Sequence, residues 1–157
     1  MEKSFESKIL LFGEYSIIHD SMALSIPYEA FGGKLTSFPK HLFGEKAKVS
    51  NQHLINYAEH ILKMKNEGTL PFDIDAEQFV IDADKGLIFD SNIPQGAGVG
   101  SSGALVATVY DTYTSYPRPN IEKISSEELK ELKARFAALE CYFHGDSSGL
   151  DPLSCYV

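Results

Sequence analysis

Short apolar stretches separated by turn residues dominate the first part of the chain. Residues 8–18 (KILLFGEYSII) are apolar and rich in β-branched side chains, which predicts a buried strand with a bend or bulge at Gly13. Three further short strands are predicted at 22–27 (MALSIP), 33–38 (GKLTSF) and 87–93 (LIFDSNI). The second strand is expected to end at Pro27, and strands this short, joined by turns, are expected to pair antiparallel.

Longer segments carry apolar residues at helical spacing. The first predicted helix covers residues 52–65 and is closed by Gly68 and Pro71. A second is predicted from about Ser101 to Tyr113. These helices, together with the strands, indicate an α+β domain.

A third helix follows a polar, proline-bearing linker at 115–124. Ser125 and Glu128 have the spacing of a capping box, which sets its start, and Gly145 is a natural stop. An apolar stripe runs along it: Leu129, Leu132, Phe136, Leu139 and Phe143. The last residues, 152–157 (PLSCYV), read as the opening of a strand, so the chain is expected to be a fragment of a longer protein.

Composition excludes several classes of function. No stretch approaches the apolar length of a membrane span, and the N-terminus lacks the pattern of a signal peptide. The net charge is −8, with 22 acidic against 14 basic residues, which argues against a nucleic-acid partner. Cys141 and Cys155 are interpreted as small core residues of a protein in the reducing cytoplasm, because two cysteines make neither a disulfide framework nor a zinc site.

Glycines and serines are concentrated at positions 94–105 (PQGAGVGSSGAL), between a predicted strand and a predicted helix. A helix start attracts anions through its unpaired N–H groups, and glycine lets the backbone approach a phosphate closely. The spacing fits neither the Rossmann fingerprint nor the Walker motif. Taken alone, the segment is either a phosphate loop or a structural turn.

Carboxylates near the end of the third helix are candidates for chemistry. Glu140 falls on the apolar face, where a nearby cation such as Mg²⁺ would relieve the cost of burying its charge. The alternative is a glutamate at the edge of the stripe that reaches solvent. In the segment 144–152 (HGDSSGLDP), Pro152 is expected to hold Asp151 extended, so that its carboxylate can accept a proton from a substrate hydroxyl.

The same segment also has a structural interpretation. Its aspartates and serines are common turn formers, and composition alone favours that reading. His144 with a neighbouring serine is not expected to form a nucleophilic pair, because residues so close in sequence rarely adopt that geometry and no nucleophile elbow is present.

Three separated segments together resemble the GHMP kinase superfamily (galactokinase, homoserine kinase, mevalonate kinase, phosphomevalonate kinase). KILLFGEYSIIHDSMALSIP resembles its N-terminal motif, K-x-x-L-x-G-E-H/Y-x-V-x-x-G-x-x-A-L, and PQGAGVGSSGAL resembles its phosphate loop, P-x-x-x-G-L-G-S-S-A-A. The third segment, E-x-x-x-H-G-D-S-S-G-L-D-P, is closest to the mevalonate kinase form, H-G-x-P-S-G-x-D. The likeness runs from Lys8 to Pro152.

The resemblance implies an ATP-dependent transfer to a small-molecule hydroxyl, with mevalonate converted to 5-phosphomevalonate for isoprenoid synthesis. Asp151 would accept or orient the hydroxyl proton, and Lys8 would steady that aspartate as an anion. Ser102 and Glu140 would hold Mg²⁺. The triphosphate would be cradled by the family's loop positions: Pro94, Gln95, Gly96, Ala97, Gly98, Val99, Gly100, Ser101 and Ser102.

The acceptor pocket would be lined by Glu14 and His19, which match family positions. Tyr15 stands where mevalonate kinases commonly have histidine and phosphomevalonate kinases often have tyrosine. A phosphomevalonate kinase or another GHMP kinase is therefore the alternative, a related decarboxylase shares the loop, and a non-catalytic nucleotide-binding domain is the alternative of another class. Other departures are Val99 for leucine, Gly103 for alanine, and Ser147 for proline.

The implied fold is that of the GHMP kinase N-terminal domain, a ribosomal-protein-like β-α-β fold whose mixed or antiparallel sheet packs on helices. Residues 1–157 would form this ATP-binding domain. The family's C-terminal domain, which carries a third glycine motif and closes the cleft, is expected to be missing, so this piece alone is expected to be inactive. The resemblance also implies that the full-length protein can form a homodimer.

Overall fold

Three antiparallel strands form one sheet in the order β1-β2-β3. They belong to a computed structural model that describes residues 4–12, 24–94, 96, 98–120 and 122–157. The strands are β1 (Phe5–Phe12), β2 (Leu24–Ser37) and β3 (Leu87–Ser91). β1 pairs with the first part of β2, and β3 pairs with its last five residues, from Gly33 to Ser37. The predicted antiparallel pairing is confirmed.

β2 is one strand of 14 residues, so the prediction of two strands separated after Pro27 is wrong. Pro27 lies opposite Lys8 of β1. The Lys8 N–H points away from β2 and donates to the carbonyl of Val99 at 3.1 Å. In an antiparallel pair of this kind the partner's backbone nitrogen also points away, so Pro27 interrupts no bond between β1 and β2.

Five α-helices lie within the described residues. They are α1 (Glu45–Asn66), α2 (Ala76–Lys85), α3 (Ser101–Tyr113), α4 (Ser126–His144) and α5 (Leu150–Tyr156). The predicted bounds of α3 are confirmed, and α4 begins at the predicted capping box and is followed by Gly145 at its C-cap. α1 contains the predicted helix and starts seven residues before it.

Helix α2 has no counterpart among the predicted elements. The Asp75 side chain caps its start by accepting from the Gln78 N–H at 3.0 Å. Phe79 and Ala83 are buried, and Gly86 ends the helix with a φ of +110°. The signals were present in the sequence, because Asp at the cap and Gly after the last turn are typical helix boundaries.

The end of the chain is helical, so the predicted final strand is wrong. Gly149, with a φ of +71°, precedes α5, and Leu153 N–H donates to the Gly149 carbonyl at 3.2 Å. Pro152 is the third residue of the helix. Proline is tolerated in a first turn because the N–H groups there have no partner within the helix. Asp151 therefore sits in a helical turn and not in an extended segment.

Helix α3 lies at the centre of the contacts between the helices and the sheet. Its buried residues include Ala104, Val106, Ala107 and Val109. α3 contacts β1, β2, α2, α4 and α5, while α1 packs on α2 and β3. This arrangement confirms the α+β prediction and brings the start of α3 next to β1, α4 and α5.

The structure also bears on the two cysteines and on membrane-spanning helices. Cys141 and Cys155 are free thiols; Cys155 is buried and Cys141 half-buried. Across the described residues, no helix combines the length and apolar character needed to cross a lipid bilayer.

Candidate functional site

The segment between β3 and α3 uses left-handed backbone at its glycines. Gly96, Gly98 and Gly100 have φ values of +73°, +70° and +84°. Gly100 is the N-cap of α3, and no side chain of the described residues caps this helix start. The first N–H groups of α3 thus lack helical acceptors, and the positive end of the helix dipole lies at the same place. Gln95 and Ala97 lie outside the described residues.

The glycine segment is fastened to β1 at Lys8. The backbone N–H of Lys8 donates to the carbonyl of Val99 at 3.1 Å. A Cβ on Gly100 would lie 2.9 Å from Cγ of Lys8, closer than side chains pack. Gly100 therefore serves two needs at once, since its φ is left-handed and its neighbour leaves no room for a side chain.

The same lysine forms an ion pair with Asp151. Lys8 Nζ lies 2.6 Å from Oδ1 of Asp151. The lysine is only 3% exposed, whereas the aspartate side chain is 43% exposed. A buried ammonium needs a partner of this kind, because an unpaired charge in the interior is strongly destabilising. The aspartate keeps one side open to solvent, where a small molecule can approach it.

Asp151 is held in place by the packing of α5 against α3. A Cβ on Gly103 would lie 2.8 Å from the carbonyl carbon of Asp151 and 3.0 Å from the nitrogen of Pro152. The glycine that replaces the alanine of the resembled motif thus allows the two helix backbones to meet. Asp151 is consequently positioned by the start of α3 on one side and by Lys8 on the other.

Glu140 lies inside the molecule, on the buried face of α4 with Phe136 and Leu139. The residue is 3% exposed, so the alternative of a solvent-reaching glutamate is wrong. The Ser147 hydroxyl donates a hydrogen bond to Oε2 of Glu140. Oε1 is buried and has no hydrogen-bond partner among the described residues.

The surroundings of Glu140 favour its neutral form in the absence of a cation. Burial raises the pKa of Glu140 to about 7 from its ordinary 4.5. The Ser147 hydrogen bond and the charge of Lys8 lower this pKa in part, while the charge of Asp151 raises it. The pKa of Glu140 therefore depends on both members of the Lys8–Asp151 ion pair.

Ser102, in the first turn of α3, connects this helix to the end of α4. Its Oγ lies 3.2 Å from Nε2 of His144, and either group can be the donor because the histidine tautomer decides. His144 is one turn beyond Glu140 on α4. The contact places the last turn of α4, the helix that also carries Glu140, next to the start of α3.

One family model covers the part of the chain that contains the glycine segment, α4 and α5. The sequence model described as "GHMP kinases N terminal domain" matches residues 52–157. The chain belongs to the GHMP kinase family. GHMP kinases are small-molecule kinases that use ATP. No curated protein matches the chain.

Most residues that the GHMP resemblance assigned to the site lie around the start of α3. Lys8 and Asp151 are in contact, and Glu140 lies within their electrostatic reach. Ser102 contacts His144 near the end of α4. Glu14 and His19, the predicted acceptor-binding residues, lie outside the described residues.

The buried carboxylate of Glu140 fits a divalent cation that takes its other ligands from the phosphates of a nucleotide and from water. Within the described part of the chain, no group of three or more His, Cys, Asp or Glu side chains is arranged to hold a metal alone. Mg²⁺ usually binds one or two carboxylates and takes its other ligands from phosphates and water. The unpartnered Oε1 of Glu140 is a ligand of the required kind.

Three contributors to this GHMP kinase site were missed by sequence reasoning. From the sequence, His144 is weighed only as part of a nucleophilic pair, Ser147 is a turn former and a departure from the resembled motif, and Gly103 is only such a departure. Their contacts join residues of different elements. The one available signal was that Gly103 and Ser147 depart from the resembled motif at positions beside proposed site residues.

Proposed function

We propose that this chain is the ATP-binding part of a kinase that phosphorylates the hydroxyl of mevalonate, giving 5-phosphomevalonate. The observation that carries the proposal is the ion pair between buried Lys8 and half-exposed Asp151, set beside an uncapped helix start. An ion pair that only stabilises the fold does not require an anion-binding site beside it. A phosphoryl-transfer site requires a charged pair to act on the acceptor and an anion-binding site for the phosphates.

The start of α3 would receive the phosphates. Backbone N–H groups of the segment from 94 to 102 would face the phosphate oxygens, with left-handed Gly96, Gly98 and Gly100 allowing close approach. Ser102 and Glu140 would hold Mg²⁺. That cation, when bound, would offset the negative charge of the phosphates.

Asp151 and Lys8 would act on the acceptor. The open side of the Asp151 carboxylate would take a hydrogen bond from a substrate hydroxyl and accept its proton as the oxygen attacks the terminal phosphorus of ATP, with ADP as the leaving group. Lys8 keeps the carboxylate oriented and adds positive charge close to the transferring group. Phosphoryl transfer depends mainly on positioning and electrostatic stabilisation, so these two side chains would supply the groups that act on the acceptor.

The choice of acceptor rests on the sequence. Glu14 and His19 are proposed to line the acceptor pocket, and the third motif is closest to the mevalonate kinase form. Tyr15 favours phosphomevalonate as the second candidate, because phosphomevalonate kinases often carry tyrosine there. The two acceptors differ by a phosphate, so a direct comparison separates them.

The test is coupled ATP consumption by the natural protein at full length, with mevalonate, phosphomevalonate, homoserine and galactose as acceptors. Turnover with mevalonate is expected, and Asp151→Asn should reduce kcat by about 10²- to 10⁴-fold with ATP binding retained. Asp146→Asn is the matched control, because Asp146 is an exposed aspartate in the segment between α4 and α5, just before the helix that carries Asp151. It should leave kcat unchanged.

Other outcomes would point elsewhere. Preferential turnover of phosphomevalonate would assign the second candidate. Release of carbon dioxide from a diphosphorylated acid would indicate the related decarboxylase. Nucleotide binding without turnover of any acceptor, unaffected by Asp151→Asn, would favour a non-catalytic nucleotide-binding domain and reject the kinase proposal.

A further inference from the structure

The hydroxyl of Ser147 makes two hydrogen bonds in the turn between α4 and α5. Its Oγ accepts from the N–H of Gly149 at 3.0 Å. Its own O–H donates to Oε2 of Glu140. Since an ionised carboxylate has no proton to give, the direction of the second bond is fixed whenever Glu140 is charged.

The turn that carries Ser147 is pressed against α4. A Cβ on Gly149 would lie 2.2 Å from the carbonyl oxygen of Lys133 and 2.7 Å from the nitrogen of Ala137. No residue other than glycine fits so close to a helix backbone without displacing it. This contact keeps the turn next to α4, where the Ser147 hydroxyl reaches the Glu140 carboxylate.

The two carboxylate oxygens of Glu140 consequently differ. Oε2 is engaged by the Ser147 hydroxyl, while Oε1 is buried with no hydrogen-bond partner among the described residues. A carboxylate that is gripped at one oxygen loses rotational freedom about its last bond. Groups that hold a metal ligand in this way commonly contribute about 10- to 100-fold to metal affinity.

We propose that Ser147 is a positioning residue, whose hydroxyl fixes the Glu140 carboxylate so that Oε1 is presented to a divalent cation. The inference rests on the proposed function, because it takes Glu140 as a ligand of the nucleotide-bound cation. The resembled motif does not offer this contact, since it has proline at this position and proline has no hydroxyl.

The test measures cation binding directly. Mn²⁺ is titrated into the natural full-length protein in the presence of saturating ADP, and free Mn²⁺ is followed by electron paramagnetic resonance. Ser147→Ala should raise the Mn²⁺ dissociation constant by about 10-fold or more. ADP affinity without metal should stay within about twofold, because Ser147 contacts the carboxylate and no phosphate-binding group.

The neighbouring serine provides a matched control. The Ser148 hydroxyl also accepts from an N–H two residues ahead, that of Leu150 at 3.3 Å, and it makes no bond to Glu140. Ser148→Ala should therefore leave the Mn²⁺ dissociation constant unchanged. Ser147→Thr keeps the hydroxyl and should restore tight binding, which a general loss of packing would not predict.

The outcomes separate this inference from the function on which it rests. Equal Mn²⁺ affinity in Ser147→Ala and Ser148→Ala, with Glu140→Gln much weaker, overturns the role of Ser147 alone. Wild-type protein that binds no Mn²⁺ with ADP overturns both proposals. If Ser147→Ala fails to fold, Ser147→Cys replaces it. Its weaker donor should give an intermediate affinity, and wild-type affinity in that variant counts against the inference.

Discussion

Two helices of this protein begin with a pair of serines, and the two starts are built differently. At α4, Ser125 Oγ accepts from the Glu128 N–H at 3.2 Å, and Oε2 of Glu128 accepts from the Ser125 N–H at 2.8 Å. At α3, left-handed Gly100 stands at the cap, and among the described residues no side chain makes a capping hydrogen bond to this helix start.

The difference separates a structural helix start from one left available for a ligand. The capping box of α4 satisfies two backbone donors within a few residues of chain and defines the helix boundary. At α3 the hydroxyl of Ser102 does not cap the helix but contacts His144 on α4. Changes at the start of α4 should consequently alter stability, and changes at the start of α3 should alter function.

The largest expected effect separates the two starts by activity. Ser102→Ala should lower kcat/KM by about 100-fold or more, equivalent to about 3 kcal/mol, because it removes a proposed cation ligand. Its thermal midpoint should match wild type. Ser126→Ala, a serine change in the exposed first turn of α4, should leave kcat/KM as it is. Equal activity in the two variants would contradict the comparison.

The next effect is a pH dependence of stability in the metal-free protein. Glu140 has a pKa of about 7 when folded and an ordinary value of 4.5. Between these values the folded state binds more protons than the unfolded state, so stability falls as the pH rises. The loss is complete above pH 7 and amounts to about 3 kcal/mol.

Glu140→Gln removes this titration. Thermal unfolding without metal at pH 5 and pH 8 should show a smaller drop for the variant than for wild type, and a higher midpoint for the variant at pH 8. The titratable groups that interact with Glu140 include Tyr57 from α1, Lys8 from β1, and Asp151 and Cys155 from α5. Glu127→Gln, on the exposed first turn of α4, should follow wild type. Parallel curves for all three proteins would reject the prediction.

A smaller effect tests how closely α3 must approach α5. Gly103→Ala places a methyl group within 3.0 Å of the Asp151 and Pro152 backbone. The variant should lose about 1–3 kcal/mol of stability and part of its activity, because Asp151 must shift. The control is Gly44→Ala, since a Cβ at Gly44 meets nothing within 4 Å. Urea unfolding and kcat measure the two consequences, and full activity in Gly103→Ala would show that this approach is not required.

The smallest effect concerns the start of α4. Ser125→Ala removes the hydroxyl that accepts from the Glu128 N–H and should cost about 1 kcal/mol. The thermal midpoint should fall while kcat/KM stays at the wild-type value. A change in kcat/KM as large as that of Ser102→Ala would mean that both helix starts serve the site.

Local signals explain the parts of the fold that the sequence predicted well. The bounds of α3, the capping box at Ser125 and the strand beginning at Leu87 depend on residues near one another in the chain. The prediction for the last residues failed because proline is compatible with a first helical turn as well as with a strand. Only the contact between α5 and α3 at Gly103 shows which one this chain uses.

The candidate site was predicted as a set of residues but not as a set of contacts. Glu140 and Asp151 are candidates from their positions in the sequence as well as from the family motifs, and Lys8 is a candidate from the motifs alone. The bond between Ser147 and Glu140 joins a turn to a helix, and the contact between Ser102 and His144 spans 42 residues of chain. Such contacts depend on how the helices pack, which periodicity and spacing do not specify.

The two attachments made by Lys8 have a consequence for assembly of the molecule. Its backbone N–H hydrogen-bonds to the glycine segment and its side chain forms the ion pair with Asp151. One position of an edge strand thus contacts both parts of the site. Slipping β1 by one residue would put Ser7 or Ile9 at that position and turn the lysine to the opposite face. A chain misregistered by one residue would therefore lose both attachments together.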